Sequence, residues 1–182
     1  MTEHDKARLL TLARDTIAAN LRGEPLPPWP MLQEEPADFG GVFVTLRSGH
    51  HLRGCIGRFN PPGMLGEVVR EMAVAAWGDP RFRGTPVRPE ELDALHIEIS
   101  VLSSMVRTSD PLSLIPGVHG VYIRQGVRSG CILPQVAAEQ QWDRQTFLAR
   151  CCEDKAGLPA DAWKDPRTEV YLFESQVFEE EA

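Results

Sequence analysis

At residues 51–59 the chain reads His51-Leu52-Arg53-Gly54-Cys55-Ile56-Gly57-Arg58-Phe59, with an arginine and a thiol two positions apart and glycines beside them. Alternate residues of a β-strand face the same way, so Arg53 and Cys55 are predicted to share one face, roughly 6.5–7 Å apart. A guanidinium can close that gap and favour the thiolate form of the cysteine. Gly54 and Gly57 leave room for a β-bulge, or for the close approach of a ligand or another backbone. The stretch therefore predicts a strand that carries a candidate functional site.

Length and composition predict one ordinary globular domain over residues 1–182. The chain is 42% hydrophobic and 25% charged, which is typical of a protein that buries a substantial core. Its net charge of −7 argues against a general nucleic-acid or anionic-membrane binder. The longest apolar run, residues 72–77, is far shorter than the roughly 20 residues that cross a bilayer. No membrane association is predicted.

The four cysteines, at positions 55, 131, 151 and 152, form neither a Cys-x-x-Cys pair nor a disulfide framework. The first residues lack the basic and apolar regions of a secretory signal. Together these features predict reduced thiols in a cytoplasmic protein. Because no pair of histidines has metal-ligand spacing, neither a metal nor a cofactor is predicted.

Two helices are predicted in the first half of the chain. Residues 3–22 carry an apolar stripe, with Thr2 suited to the N-cap and Gly23 to the position after the last turn. A second apolar stripe marks a helix over residues 64–77, which Gly78 ends. These helices are predicted to serve packing.

A hairpin is predicted between the two helices. In residues 42–47 the aliphatic Val42, Val44 and Leu46 alternate with other residue types, as in a half-buried strand, and a short turn joins them to the strand at 51–59. After the second helix, Asp79-Pro80-Arg81-Phe82 forms a tight exit, because a residue before proline cannot easily continue a helix. Arg81 is thereby placed on a loop.

The clearest strand covers residues 95–102, whose odd positions are apolar. Glu98 and Ser100 lie on its other face, for which two interpretations remain open. The face is solvated, as is normal for an antiparallel sheet, or it carries function and is shared with Cys55.

A second hairpin is predicted from residues 119–124 and 128–133, and its first strand opens with His119. Pro134 then suits the first position of a helix. The free N–H groups of that helix start, beside Gln135, make a natural anion site.

The last third of the chain predicts a helix and a closing strand. Asp143 caps a helix that continues to about Ala156, whose Cys151 and Cys152 are core residues. Residues 169–174 alternate as a strand, and the acidic residues 179–181 are predicted to fray. Hairpins interrupted by helices indicate an α+β fold with a mostly antiparallel sheet and flanking helices.

These residues resemble the AMMECR domain family, named after an Alport and elliptocytosis chromosomal region, over nearly the whole chain. Its signature is similar to Leu52-Arg53-Gly54-Cys55-Ile56-Gly57. Further matches follow in the family's order: 41–46, 79–82, 97–102, 119–120, 133–137, Trp142, 155–158, Trp163 and 169–171. One departure is Cys131, where the family pattern has an aliphatic residue.

The resemblance implies a larger and a smaller lobe, with the motif residues near the groove between them. It also implies similarity to component A of the AmmeMemoRadiSam set, which includes a Memo-type protein and a radical SAM protein. That association suggests a shared modification pathway. The resemblance assigns no catalytic activity.

Two functions compete on this sequence. In the first, the chain is a non-catalytic component that binds a small anionic ligand or a partner in the modification pathway. In the second, it is an enzyme in which Cys55 is a thiolate nucleophile and His119 its base. The candidate ligand-binding residues, common to both, are Arg53, Arg81, Glu98, Ser100 and Gln135.

Overall fold

The structure is a computed structural model that describes residues 1–36 and 38–180. The chain divides into two compact units. The larger consists of Met1–Val101 and the C-terminal segment from Gln176, and the smaller of Leu102–Ser175. Helices accompany an antiparallel sheet, which confirms the predicted α+β class.

The larger unit contains the two helices that were predicted from apolar stripes. Helix α1 spans Glu3–Arg22, with the Thr2 side chain accepting from the N–H of Asp5 and Gly23 in the left-handed conformation. Helix α2 spans Leu65–Trp77. Helix α2 packs on the first two strands of the chain, and α1 packs on α2. The apolar stripes of both helices belong to one buried core, and such burial is the main source of stability for amphipathic helices.

In the larger unit the strand order is β2-β1-β3, followed by the end of β7. Strand β1 spans Gly41–Ser48, β2 His51–Phe59 and β3 Leu95–Leu102, as predicted. The β1–β2 hairpin is antiparallel, and its register shifts between Leu46 and Arg47. Leu46 lies opposite Gly54 and Arg47 opposite Leu52, so Arg53 is the extra residue of a β-bulge.

The core of the larger unit lies between its helices and one sheet face. The fully buried side chains of this core include Leu9, Ile17, Val44, Leu46, Leu65, Ile97 and Ile99. Residues that alternate with these on the strands, such as Thr45 and Glu98, therefore face away from this core.

The C-terminal acidic segment is fixed at Glu180, against the prediction of fraying, while Glu181 lies outside the described residues. Glu180 accepts hydrogen bonds from Arg14 (Nε 2.6 Å, Nη2 2.5 Å) and from the N–H of Ile97 (3.0 Å). Arg14 also donates to the carbonyls of Leu92 and Leu95. The pair thus joins α1, β3 and the chain end.

Replacing Arg14 with leucine is expected to lower the free energy of unfolding by about 2–3 kcal/mol, because Glu180 and two carbonyls lose a charged donor. Chemical denaturation at neutral pH measures the change. Arg22→Leu is the matched control, since the Arg22–Glu24 pair is more than half exposed on both sides, and its effect is expected within about 0.5 kcal/mol. Equal effects in the two variants would contradict the prediction.

The smaller unit contains the rest of the sheet in the order β4-β7-β5-β6. These strands are β4 Val106–Thr108, β5 His119–Gln125, β6 Arg128–Ile132 and β7 Glu169–Glu179. The predicted second hairpin is confirmed as β5–β6. Strand β7 is longer than predicted, because polar residues follow residue 174 and hide its alternation.

Helix α3 spans Pro134–Glu139 and α4 spans Arg144–Arg150, capped by Asp143. The segment predicted to continue α4 forms a π-helical turn, Cys151–Lys155. Cys151 and Cys152 are fully buried in the core of this unit, as predicted.

Candidate functional site

Cys55 occupies the outer strand of the larger unit's sheet. It lies opposite Thr45 of β1, whose hydroxyl donates to the Cys55 sulfur at 3.3 Å. Cys55 is partly exposed, whereas Thr45 is buried. The thiol is therefore held by a neighbouring strand while part of the residue meets solvent.

Asp79 and Arg81 form hydrogen bonds to the main chain of Cys55 at the outer edge of β2. The N–H of Cys55 donates to Asp79 Oδ2 at 3.0 Å, and Arg81 Nη2 donates to the Cys55 carbonyl at 2.8 Å. Asp79 also caps the short 3₁₀ turn Pro80–Phe82. The two side chains bond both polar groups of this edge residue, as an adjacent strand would.

Asp79 and Arg81 form a close ion pair whose two ends differ in exposure. Arg81 donates from Nε and Nη2 to the carboxylate, the shortest bond being 2.6 Å. This hydrogen bonding lowers the pKa of Asp79 to about 2, against the opposing effect of burial. The Asp79 side chain is 0% exposed and that of Arg81 58%. The Arg81 side chain is thus fixed by Asp79, while more than half of it remains exposed to solvent.

The guanidinium that reaches Cys55 is that of Arg81, not the predicted Arg53. Arg53 pairs with Glu91 and donates to the carbonyl of Thr85 at 3.2 Å. The bulge at Arg53 interrupts the strand alternation on which the prediction relied. Arg53 holds the loop before β3, and its role as a ligand-binding residue stays a prediction.

The space beside each of the two glycines of the motif is filled by another part of the chain. A β-carbon at Gly54 would overlap the carbonyl oxygen of Ala76 at the end of α2, and one at Gly57 would overlap the ring of Phe43. The expected close approach of another backbone therefore occurs at Gly54.

Glu98 and Ser100 lie on β3, in the larger unit with Cys55. They alternate with the core residues Ile97 and Ile99, so they face away from the core of that unit, as Thr45 does. Ser100 is buried, which contradicts a fully solvated face. Their ligand-binding role stays a prediction.

His119 and Gln135 belong to the smaller unit. His119 Nδ1 accepts the N–H of Ile115 at 3.0 Å, closing the loop before β5. A neutral imidazole has one acceptor nitrogen, and this bond occupies it. Gln135 lies in α3, which has six residues, and its role at the predicted anion site stays a prediction.

Sequence reasoning missed the main partners of Cys55. Thr45 was visible only as an alternating strand residue, and Asp79 only as a helix end. A usable signal was the tripeptide Asp-Pro-Arg, which occurs at residues 79–81 and again at 165–167. In both copies the aspartate accepts from the N–H and side chain of the arginine two residues on.

The other cysteines differ from Cys55 in their surroundings. Burial raises the pKa of Cys131 to about 12 and also raises those of Cys151 and Cys152. The departure of Cys131 from the family pattern therefore does not create an ionised thiol at that position at neutral pH.

Alkylation of the native protein at neutral pH is expected to modify Cys55 before the other thiols, because reaction requires thiolate and access. Mass spectrometry of peptides after iodoacetamide treatment measures the order. Cys55→Ser is expected to remove the fast label. Labelling of Cys131 at a similar rate in the native protein would contradict the prediction.

Residues 1–36 and 38–180 contain no group of three or more His, Cys, Asp and Glu side chains that could hold a metal ion. In the same part of the chain, no helix is both long and apolar enough to cross a membrane.

The fold and site define an α+β protein that presents a positioned thiol and guanidinium at a strand edge. The chain belongs to the AMMECR1 family, whose sequence model matches residues 10–178. A protein from Methanopyrus kandleri is 43% identical, covering 95% of this chain and 87% of its own length. One from Methanothermobacter thermautotrophicus is also 43% identical, covering 95% of this chain and 93% of its own.

The fold is similar to a crystal structure of an uncharacterised protein from Pyrococcus horikoshii. The TM-score is 0.82 at 39% sequence identity, and the match covers 95% of this chain and 90% of that chain.

Proposed function

We propose that this AMMECR1-family protein is a binding component of a modification pathway, which takes an anionic group at the surface formed by Arg81 and Cys55. The anionic group belongs to a small ligand or to a partner, and the partners are a Memo-type protein and a radical SAM protein. The observation that carries the proposal is Arg81 itself. It is fixed by Asp79 and the Cys55 carbonyl, yet its side chain is 58% exposed.

A fixed and exposed guanidinium is suited to binding an anion. Its position is already set, so little side-chain freedom is lost when a ligand binds. Nη1 of Arg81 makes no hydrogen bond to any described residue, which leaves its two N–H groups for an oxyanion. Asp79 neutralises part of the charge, so affinity depends on this geometry more than on net attraction.

The bonding of His119 favours binding over catalysis. The lone pair that a general base uses is engaged by the N–H of Ile115, and neutral His119 therefore carries its proton on Nε2. Proton transfer from a thiol would first require that bond to break.

Isothermal titration with purified Memo-type and radical SAM proteins from the same genome tests the proposal. Binding to at least one partner is expected, weakened about tenfold by Arg81→Gln, since a charged hydrogen bond is lost. Arg83→Gln is the matched control, because Arg83 is exposed nearby, and it is expected to bind normally. Arg81→Lys keeps the charge beside Asp79 and is expected to give an intermediate loss in a folded protein. Absence of binding to both partners would refute the partner form of the proposal, and equal loss in Arg81→Gln and Arg83→Gln would refute the role of Arg81 in binding.

The alternative is an enzyme in which the Cys55 thiolate attacks a small anionic substrate. It is favoured by one observation: the Thr45 hydroxyl donates to the Cys55 sulfur and holds the thiol in one position. The two functions separate in Cys55→Ala. Partner binding that survives in this variant supports the binding component, whereas unusually fast alkylation of Cys55 below pH 7 in the native chain supports the enzyme.

A further inference from the structure

The smaller unit contains a cavity of about 530 Å³ that has no part in the site at Cys55. It lies beside the end of β4 and the segment that leads into β7. Its lining includes Arg107, Ser109, Trp163, Lys164, Asp165 and Thr168. The volume lies in the range of small-molecule sites, roughly 300–1,000 Å³.

Lys164 supplies an uncompensated positive charge. Its ammonium lies 5.0 Å from the centre of the Trp163 ring, an attraction that orients the side chain without using its N–H groups. Lys164 has neither an ion pair nor a side-chain hydrogen bond to any described residue. Its three donors therefore stay available to a ligand.

Arg107 supplies a second, partly compensated charge. Its partner Glu169 is 3.4 Å away and is already bound by Arg124 at 2.6 Å. Two guanidinium groups thus share one carboxylate, and the nearer one is Arg124. Arg107, with a side chain 60% exposed, retains donors for an anion at the cavity.

Asp165 is the acidic residue of the lining, and its charge is locally satisfied. It accepts from the N–H, Nε and Nη2 of Arg167, and this bonding lowers its pKa to about 2. The cavity therefore keeps an excess of positive charge in a chain whose net charge is −7.

Neutral donors complete the lining. The Thr168 hydroxyl accepts from Gln125 Nε2 at 2.9 Å, which leaves its own proton to donate. The Ser109 hydroxyl has no bond to a described residue. Cations together with hydroxyl donors bind oxyanions through charge-assisted hydrogen bonds.

We propose that this cavity binds a small molecule that carries a phosphoryl or carboxylate group, held between Lys164 and Arg107. The lining of the cavity shares no residue with the surface at Arg81, and the proposal does not depend on the function proposed for that surface.

The test uses the indole N–H signals of the four tryptophans in the ¹⁵N-labelled full chain. Pyrophosphate and citrate are the probes, with sodium chloride at matched ionic strength as the blank. The Trp163 signal is assigned as the one that is missing in Trp163→Phe. In the native chain this signal is expected to shift, and the shift to saturate, at millimolar concentrations of the probe. A response to pyrophosphate alone identifies a phosphoryl site, and a response to citrate alone a carboxylate site.

Lys164→Ala and Arg107→Ala are each expected to raise the dissociation constant about tenfold, the effect of losing one charged hydrogen bond. Both side chains are exposed, so the fold is expected to persist, and thermal unfolding checks this. Lys155→Ala is the matched control, since Lys155 is an exposed lysine of the same unit outside the cavity lining. The proposal is overturned if neither probe shifts Trp163 beyond the salt blank, or if Lys155→Ala weakens binding as much as Lys164→Ala.

Discussion

Replacing Gly54 with alanine is expected to lower the free energy of unfolding by about 3 kcal/mol, at the upper end of overpacking costs. The new β-carbon would overlap the carbonyl oxygen of Ala76, which is backbone at the end of α2. A backbone atom cannot rotate aside, so helix and strand must separate. Because the same helix end leads into Asp79, the bonds to Cys55 are expected to weaken as well.

Alanine substitutions at two other glycines give a series in which the expected loss of unfolding free energy follows the severity of the clash. Denaturant unfolding measures the loss in each variant. Gly57→Ala would meet the ring of Phe43, a side chain that can turn, so its cost is expected to be smaller, about 1–2 kcal/mol. Gly84→Ala meets nothing within 4 Å and is expected within about 0.5 kcal/mol. A cost for Gly54→Ala no larger than that of Gly84→Ala would show that α2 does not pack on β2 as described.

Elements with a strong side-chain period could be predicted from the sequence. The strand Leu95–Leu102 and the helix Glu3–Arg22 have the predicted ends, because alternation, an N-cap and a C-terminal glycine are local signals. The π-helical turn at Cys151–Lys155 could not be predicted, since the apolar pattern there also fits a continued α-helix. Glu180 was hidden for a different reason: its partner Arg14 is 166 residues away.

The candidate site was predicted in part. The position of Cys55 on a strand follows from the motif, and Arg81 was predicted as a ligand-binding residue. That this strand lies at the edge of the sheet was not predicted. That Arg81 rather than Arg53 contacts Cys55 could not be predicted. The bulge at Arg53 adds one residue to β2 and so changes which side chains lie side by side. The contact of Asp79 with the N–H of Cys55 depends on how α2 packs, which no local pattern encodes.

Asp79→Asn is expected to lower the free energy of unfolding at neutral pH by about 2 kcal/mol, because the charged bonds to Arg81 and to the N–H of Cys55 are weakened. The buried position of Asp79, with 0% of the side chain exposed, keeps water from replacing them. The outer edge of β2 is expected to loosen with this change. Hydrogen exchange of the Cys55 amide should therefore accelerate more than that of amides within β1.

The pH dependence separates the charge of Asp79 from its shape. The pKa of Asp79 is lowered from 3.8 to about 2, so its stabilisation is fully present above about pH 4 and is lost as pH falls through 2. The stability difference between the native chain and Asp79→Asn is accordingly expected to shrink between pH 4 and 2. Asp165→Asn is the matched control, since it has the same Asp-Pro-Arg geometry but pairs with an arginine that is 82% exposed. We expect a much smaller loss of stability at neutral pH in that variant, because water can replace bonds made at the surface. Equal losses in the two variants would mean that the local tripeptide, rather than its contact with Cys55, accounts for the stabilisation.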